Sequence, residues 1–221
     1  MWREQVRALG DAGVENLAID LPGHGARADE EFTLEAAAAA IQEGVETLPA
    51  PRVVVGLSLG GYLALHWAAR TPTPPAAVLA ASCSTRPRGL ALAGYAGVAG
   101  LIDRLPDHGL WLNDTMAAYT LPAGAIQDVA AGGIALAVMV PALRAMRGAD
   151  PIGDLARIDV PVWFVNGAWD HFRTEEQRFL AASRQGRLIV LARARHLASF
   201  DAPVAFNRVM LDLLEAVEAS A

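Results

Sequence analysis

The sequence predicts an α/β fold: a mostly parallel sheet covered by helices on both faces, with a helical cap inserted between two parts of the core. Three observations carry this expectation. Short apolar runs of strand length alternate with longer segments patterned as helices, the order in which a chain lays down parallel strands joined by helical crossovers. Between Ser84 and Asp154 the strand signals vanish and alanine-rich helical segments replace them. One strand passes into a helix through a glycine-rich turn with a serine at its centre, Gly56-Leu57-Ser58-Leu59-Gly60-Gly61.

In chain order, residues 2–9 have the pattern of a short amphipathic helix, and 14–19 form the first apolar run of strand length. The loop Asp20-Leu21-Pro22-Gly23-His24-Gly25 follows, and its Pro-Gly pair stops the strand. Residues 33–48 are helical, with Thr33 at the start. The β-branched run at 53–56 is a buried strand, 59–70 its following helix and 76–81 the third strand. Gly89, Gly94, Pro106, Pro122 and Gly124 punctuate the helical stretch after it. Its Trp111, Leu112, Met116, Tyr119, Ile126, Ile134 and Met139 either line a pocket or pack the insertion on itself. Strands at 160–165 and 187–191 resume the core, with a helix at 174–183 between them and a last helix at 203–219. Thr174 and Gln177 have the spacing of a capping box, and Pro203 sits at a favoured first-turn position. The expected organisation is therefore core at 1–83, cap at 84–154 and core again at 155–221.

Composition excludes several functions. With 53% hydrophobic and 19% charged residues, the chain suits one compact domain with a filled core. Its net charge of -6 comes with no basic stripe, so binding to a phosphate backbone lacks an electrostatic basis. All 18 basic residues are arginine, which removes Schiff-base, P-loop and general-base lysine chemistry. Cys83 is the sole cysteine and no His-Glu-x-x-His pair occurs, so neither a disulfide nor a metal site is expected. The first residues lack the apolar core of a signal peptide, and the longest uninterrupted apolar run, 129–143, contains two glycines and a proline and falls short of a membrane span. The expected location is the cytoplasm, and the expected partners are a small-molecule substrate and at most a second copy of the chain as a homodimer, with neither nucleic acid nor membrane.

Ser58 is the candidate nucleophile, because a strand ending in a sharp turn lifts one hydroxyl above the sheet while glycines let strand and helix approach closely. Such a hydroxyl needs a base, and the base needs an acid to fix its tautomer. Of five histidines, His66 lies two turns beyond Ser58 on the same helix, His108 in an insertion turn and His24 in the loop after the first strand. His171 follows a carboxylate and is expected to point elsewhere. His196 emerges after the last strand, at the carboxyl edge where sites of open parallel sheets assemble. Asp170, in Gly167-Ala168-Trp169-Asp170, leaves its strand at the same edge, whereas the corresponding position after 76–81 holds Ser82-Cys83-Ser84. An Asx turn is the alternative role for Asp170. Gly23-His24-Gly25-Ala26-Arg27-Ala28 formally matches a dinucleotide fingerprint, but no helix is expected to open at Gly25 and Asp29-Glu30-Glu31 would repel a pyrophosphate.

Together Asp20-Leu21-Pro22-Gly23-His24-Gly25, the Ser58 elbow, Gly167-Ala168-Trp169-Asp170 and His196 with Pro203 and Phe206 behind it make the chain resemble the α/β-hydrolase superfamily, of the ester-hydrolase and lactonase type with a helical cap. The resemblance implies Ser58 as nucleophile, Asp170 as orienting acid, His196 as general base, the Leu59 backbone N–H as one oxyanion donor, and no cofactor. Relatives carry further strands before the point where this sequence starts, ending in a loop that supplies a second oxyanion N–H. That donor is expected to be missing here, through a start assigned too far downstream or with 14–19 pairing directly to 53–56. The function expected is hydrolysis of a carboxylic ester, lactone or related acyl bond of a small apolar substrate. Carbon–carbon bond hydrolysis or perhydrolysis by the same triad is one alternative, and a non-catalytic binding protein derived from the fold is another.

Overall fold

The computed structural model describes residues 1–220. Helices α1 (Arg3–Asp11) and α2 (Leu34–Glu46) precede β1 (Val53–Leu57), α3 (Leu59–Ala68) and β2 (Ala77–Ala81). Helices α4 (Gly89–Ile102), α5 (Leu110–Thr120), α6 (Ala123–Gly132), α7 (Met139–Ala145) and α8 (Pro151–Leu155) then fill the long connection. The chain closes with β3 (Val162–Gly167), α9 (Glu176–Ala182), β4 (Gly186–Leu191), α10 (Ala198–Asp201) and α11 (Pro203–Glu218).

The four strands run parallel in the order β1-β2-β3-β4, with Val53 opposite Ala77, Val78 opposite Val162 and Val162 opposite Gly186. The two-residue period of a strand divides each one between two cores. Val78, Ala80, Val162 and Phe164 face α2, α3, α8 and α9, where Ile41, Leu63, Leu155 and Phe179 are buried. Ala77, Leu79, Ala81, Trp163 and Val165 face the opposite way, onto Phe206, Met210 and Leu213 of α11. Helix α1 lies against α11: Gln5, buried, donates to the Ser199 carbonyl at 3.3 Å and to Asn207 at 3.2 Å. Thr33 caps α2 as its position suggests, its Oγ1 accepting from the Ala36 N–H at 3.0 Å.

Three expectations are corrected. Residues 14–19 form no strand and do not pair with β1; residues 17–20 line one wall of a cleft whose other wall is Val53, Val54 and Val55. The cleft lies between the two segments, and the Asn16 side-chain amide donates to the Val6 and Val14 carbonyls, making no ladder bond. The capping box does not form either, because Thr174 Oγ1 is taken by Thr85 Oγ1 at 2.8 Å and α9 starts only at Glu176. Finally, a single 3-10 turn does open at Gly25, spanning Gly25–Arg27, with Asp20 accepting from the Ala26 N–H at 2.9 Å.

Candidate active site

Ser58 stands between β1 and α3 with φ 53° and ψ −117°, a conformation that L-residues rarely adopt. Its surroundings hold it there. Its N–H donates to the Ala81 carbonyl at 2.8 Å, continuing the β1–β2 ladder, and its carbonyl accepts from Gly61 at 2.9 Å and Tyr62 at 3.1 Å. Gly56 is required by packing, since a Cβ at this position would sit 2.2 Å from the Gly60 carbonyl oxygen.

The three predicted side chains converge at the carboxyl edge of the sheet. His196 Nε2 lies 3.0 Å from Ser58 Oγ, and His196 Nδ1 lies 3.0 Å from Asp170 Oδ1. A carboxylate can only accept, so Nδ1 carries the ring proton and Nε2 of the neutral ring faces the serine hydroxyl as an acceptor. Asp170 also accepts from the Phe172 N–H at 2.8 Å, so the Asx turn and the histidine contact coexist on one oxygen. Burial alone would raise the Asp170 carboxyl, but the hydrogen bonds from His196 and the Phe172 backbone outweigh it and hold the group below its ordinary range.

The loops that bring Asp170 and His196 together are braced against each other. Trp169 N–H donates to the Ala194 carbonyl at 2.9 Å, and a Cβ on Gly167 would come within 2.2 Å of the Arg195 carbonyl oxygen. Beneath them Asn166, fully buried, accepts from the Ser82 N–H at 3.1 Å and donates to Ser84 Oγ at 3.0 Å and Glu176 at 2.9 Å. Nothing in sequence spacing marked Asn166 for this role, which depends on β2 and β3 ending side by side.

The other histidines separate clearly. His66 is buried with Nδ1 3.5 Å from Asp154, and His108 bonds to Asp103 at 3.1 Å. His24 lines the cleft beside Ser58, its Nδ1 donating to the Pro22 carbonyl at 3.0 Å. His171 was expected to point away, yet its ring centroid lies 5.0 Å from that of His196, because the Asx turn folds the chain back over the triad. Among the described residues, Asp170, His171 and His196 also bring three potential metal-ligand atoms within 4.8 Å of one another, but the Asp170–His196 hydrogen bond engages two of those side chains.

The cleft in front of Ser58 has a volume of about 1040 Å³, and Leu21, Leu59, Ile134, Leu136 and Leu197 give it apolar walls. Leu59 is the first residue of α3, so its N–H belongs to the first-turn donors that a helix leaves unpaired. The N–H groups of Gly23 and His24, on the facing loop, are spent within their own turn, on the carbonyls of Arg27 and Leu21. Among the described residues, no helix is long and apolar enough to cross a membrane.

A sheet with a strained serine at a strand–helix turn, aligned with a histidine and an aspartate from later strand ends, defines a hydrolase of α/β type, and the family comparison agrees. Residues 1–209 match the model of the alpha/beta hydrolase family, and the chain belongs to that family. It is similar to the pimeloyl-[acyl-carrier protein] methyl ester esterase of Neisseria meningitidis serogroup C, being 31% identical over 218 residues that cover 90% of this chain and 83% of the relative. A protein of that same description from Chromobacterium violaceum is 49% identical over 55 residues, 24% of this chain and 20% of the relative. Among solved structures, a carboxylesterase of the ammonia-oxidizing Thaumarchaeon Nitrososphaera gargenis superposes with a TM-score of 0.81 at 16% identity, covering 100% of this chain and 86% of its own. A hydrolase from Pseudomonas aeruginosa PA01 does so with a TM-score of 0.77 at 23% identity, covering 97% and 84%. These two likenesses concern the fold.

Proposed function

We propose that the protein hydrolyses carboxylic esters through Ser58, His196 and Asp170, with alkyl esters of an apolar acyl chain, methyl esters first among them, as substrates. The observation that carries this reading is the line from Ser58 Oγ through His196 to Asp170, two contacts of 3.0 Å each. His196 Nε2 takes the serine proton as Oγ bonds to the ester carbonyl carbon, and Asp170 stabilises the imidazolium that results. The Leu59 N–H faces the developing oxyanion. His196 then returns the proton to the departing alkoxide, leaving an acyl-serine that a water molecule, activated by the same imidazole, converts to the free acid. The apolar walls of the cleft and the descriptions of the similar esterases support the choice of substrate.

A second reading, a binding protein that keeps the cleft without turnover, is favoured by one observation: the Gly23 and His24 N–H groups on the facing loop are bonded within their own turn and so cannot stand in for the second oxyanion donor that relatives take from a different loop. A fluorophosphonate probe separates the two. The hydrolase reading expects labelling of the wild type, none of Ser58→Ala, and a loss of ester turnover in that variant on the order of 10⁴-fold or more. Folded wild-type protein that neither labels nor cleaves methyl or p-nitrophenyl esters would establish the binding reading instead.

A further inference from the structure

We propose that Tyr95 and His171 form a relay between α4 and the triad, in which His171 is a positioning residue for His196; the inference rests on the hydrolase reading above. Tyr95, on α4, shares a hydrogen bond of 2.7 Å between its hydroxyl and His171 Nε2, and the two rings stack with planes 3° apart and centroids at 6.2 Å. The other ring nitrogen, His171 Nδ1, lies 3.9 Å from Asp170 Oδ1. A carboxylate on that side favours the proton on Nδ1, which leaves Nε2 as acceptor for the tyrosine O–H. Burial, and then the Asp170 charge, hold the Tyr95 hydroxyl above its ordinary range, so it keeps the proton that it donates.

Hydrogen bonds join Tyr95 to His171, and Asp170 through His196 to Ser58, while an electrostatic contact of 3.9 Å between His171 Nδ1 and Asp170 Oδ1 connects the two groups. Phe172 completes the seat of the His196 ring, with centroids 4.8 Å apart. The titratable groups facing His171 are Asp170 and His196 from the core and Tyr95 from α4. Burial, and then repulsion from His196, push the His171 imidazole below its ordinary value. Its neutral form suits the mechanism, since a second imidazolium would oppose the positive charge His196 gains when Ser58 gives up its proton. Through Tyr95, α4 thus holds the His171 ring, which packs with its centroid 5.0 Å from that of His196.

The test is a double-mutant cycle on the full chain, with Tyr95→Phe removing only the hydroxyl and His171→Phe keeping an aromatic ring. Turnover of p-nitrophenyl acetate is measured per site titrated with the fluorophosphonate, so unfolded molecules do not count. Each single variant is expected to lose about three- to tenfold in kcat with KM little changed, and the double variant to lose no more than the worse single, because both substitutions break one line. Independent, multiplying losses, an unchanged kcat in either single variant, or an effect confined to KM would overturn the relay while leaving the hydrolase reading intact. Failure of the folded wild type to label or turn over would end both.

Discussion

Ser58 shows how much of this site is held by neighbours and how little by its own preference. A residue at φ 53° and ψ −117° costs on the order of 1–3 kcal/mol, which the surrounding hydrogen bonds and the close approach of Gly56 to Gly60 must offset. In Gly56→Ala the new methyl group meets backbone and has no rotamer to escape into. A loss of about 1–3 kcal/mol in urea-unfolding free energy is expected, together with a fall in fluorophosphonate labelling rate as the elbow shifts. On the proposed mechanism Asp170, 3.0 Å from His196 Nδ1, fixes the tautomer of that ring and makes no bond to the substrate. Asp170→Asn should therefore leave the circular-dichroism spectrum and melting temperature near those of the wild type while kcat drops by about 10⁴-fold, since an amide can hold the ring in the wrong tautomer.

At the level of elements, the connection from β2 into the helices is fastened to the loop after β3. Glu175 accepts from the Arg86 N–H and side chain, both at 2.8 Å, and from Arg178 at 2.9 Å, while its own N–H donates to the Ser84 carbonyl at 2.9 Å. The Arg86 hydrogen bonds bring the Glu175 carboxyl down to about 2. A carboxylate whose folded value is depressed adds stability above its ordinary range and loses that contribution as pH falls toward the folded value. Glu175→Gln should accordingly melt below the wild type at neutral pH, with the gap closing in thermal scans taken from about pH 4.5 down to about pH 2. A gap independent of pH would show that packing, not charge, joins these segments. The same fastening explains why α9 starts later than its sequence signal, for Thr174 bonds across to Thr85 and not to its own helix.

Across the whole molecule, the sheet stands between two cores, and the smaller element set, α1 with α11, is pinned by Phe206. Its ring is fully buried and lies 6.1 Å from Trp2. Phe206→Ala should cost about 3–5 kcal/mol in equilibrium unfolding, a loss large enough to lower the yield of folded protein without touching the triad. Much of this architecture was legible beforehand. Short apolar runs marked four strands that form among the five expected, and Pro203 marked the start of α11. Residues 14–19 misled because apolar content makes a strand only when a neighbouring backbone lies within ladder distance, and here a cleft intervenes. Ser58, Asp170 and His196 were legible because each follows a strand at the same edge, where topology alone brings chain ends together. His171, Tyr95 and Asn166 were not. By itself the sequence determined four of the strands, the helices that follow them and the family to which the chain belongs, since these depend on local pattern and on the order of strand ends. The tertiary structure alone decided that the histidine after Asp170 turns back toward the triad, that a tyrosine from α4 reaches it and that residues 14–19 stay unpaired, because side-chain direction and inter-segment distance depend on contacts between residues far apart in the chain.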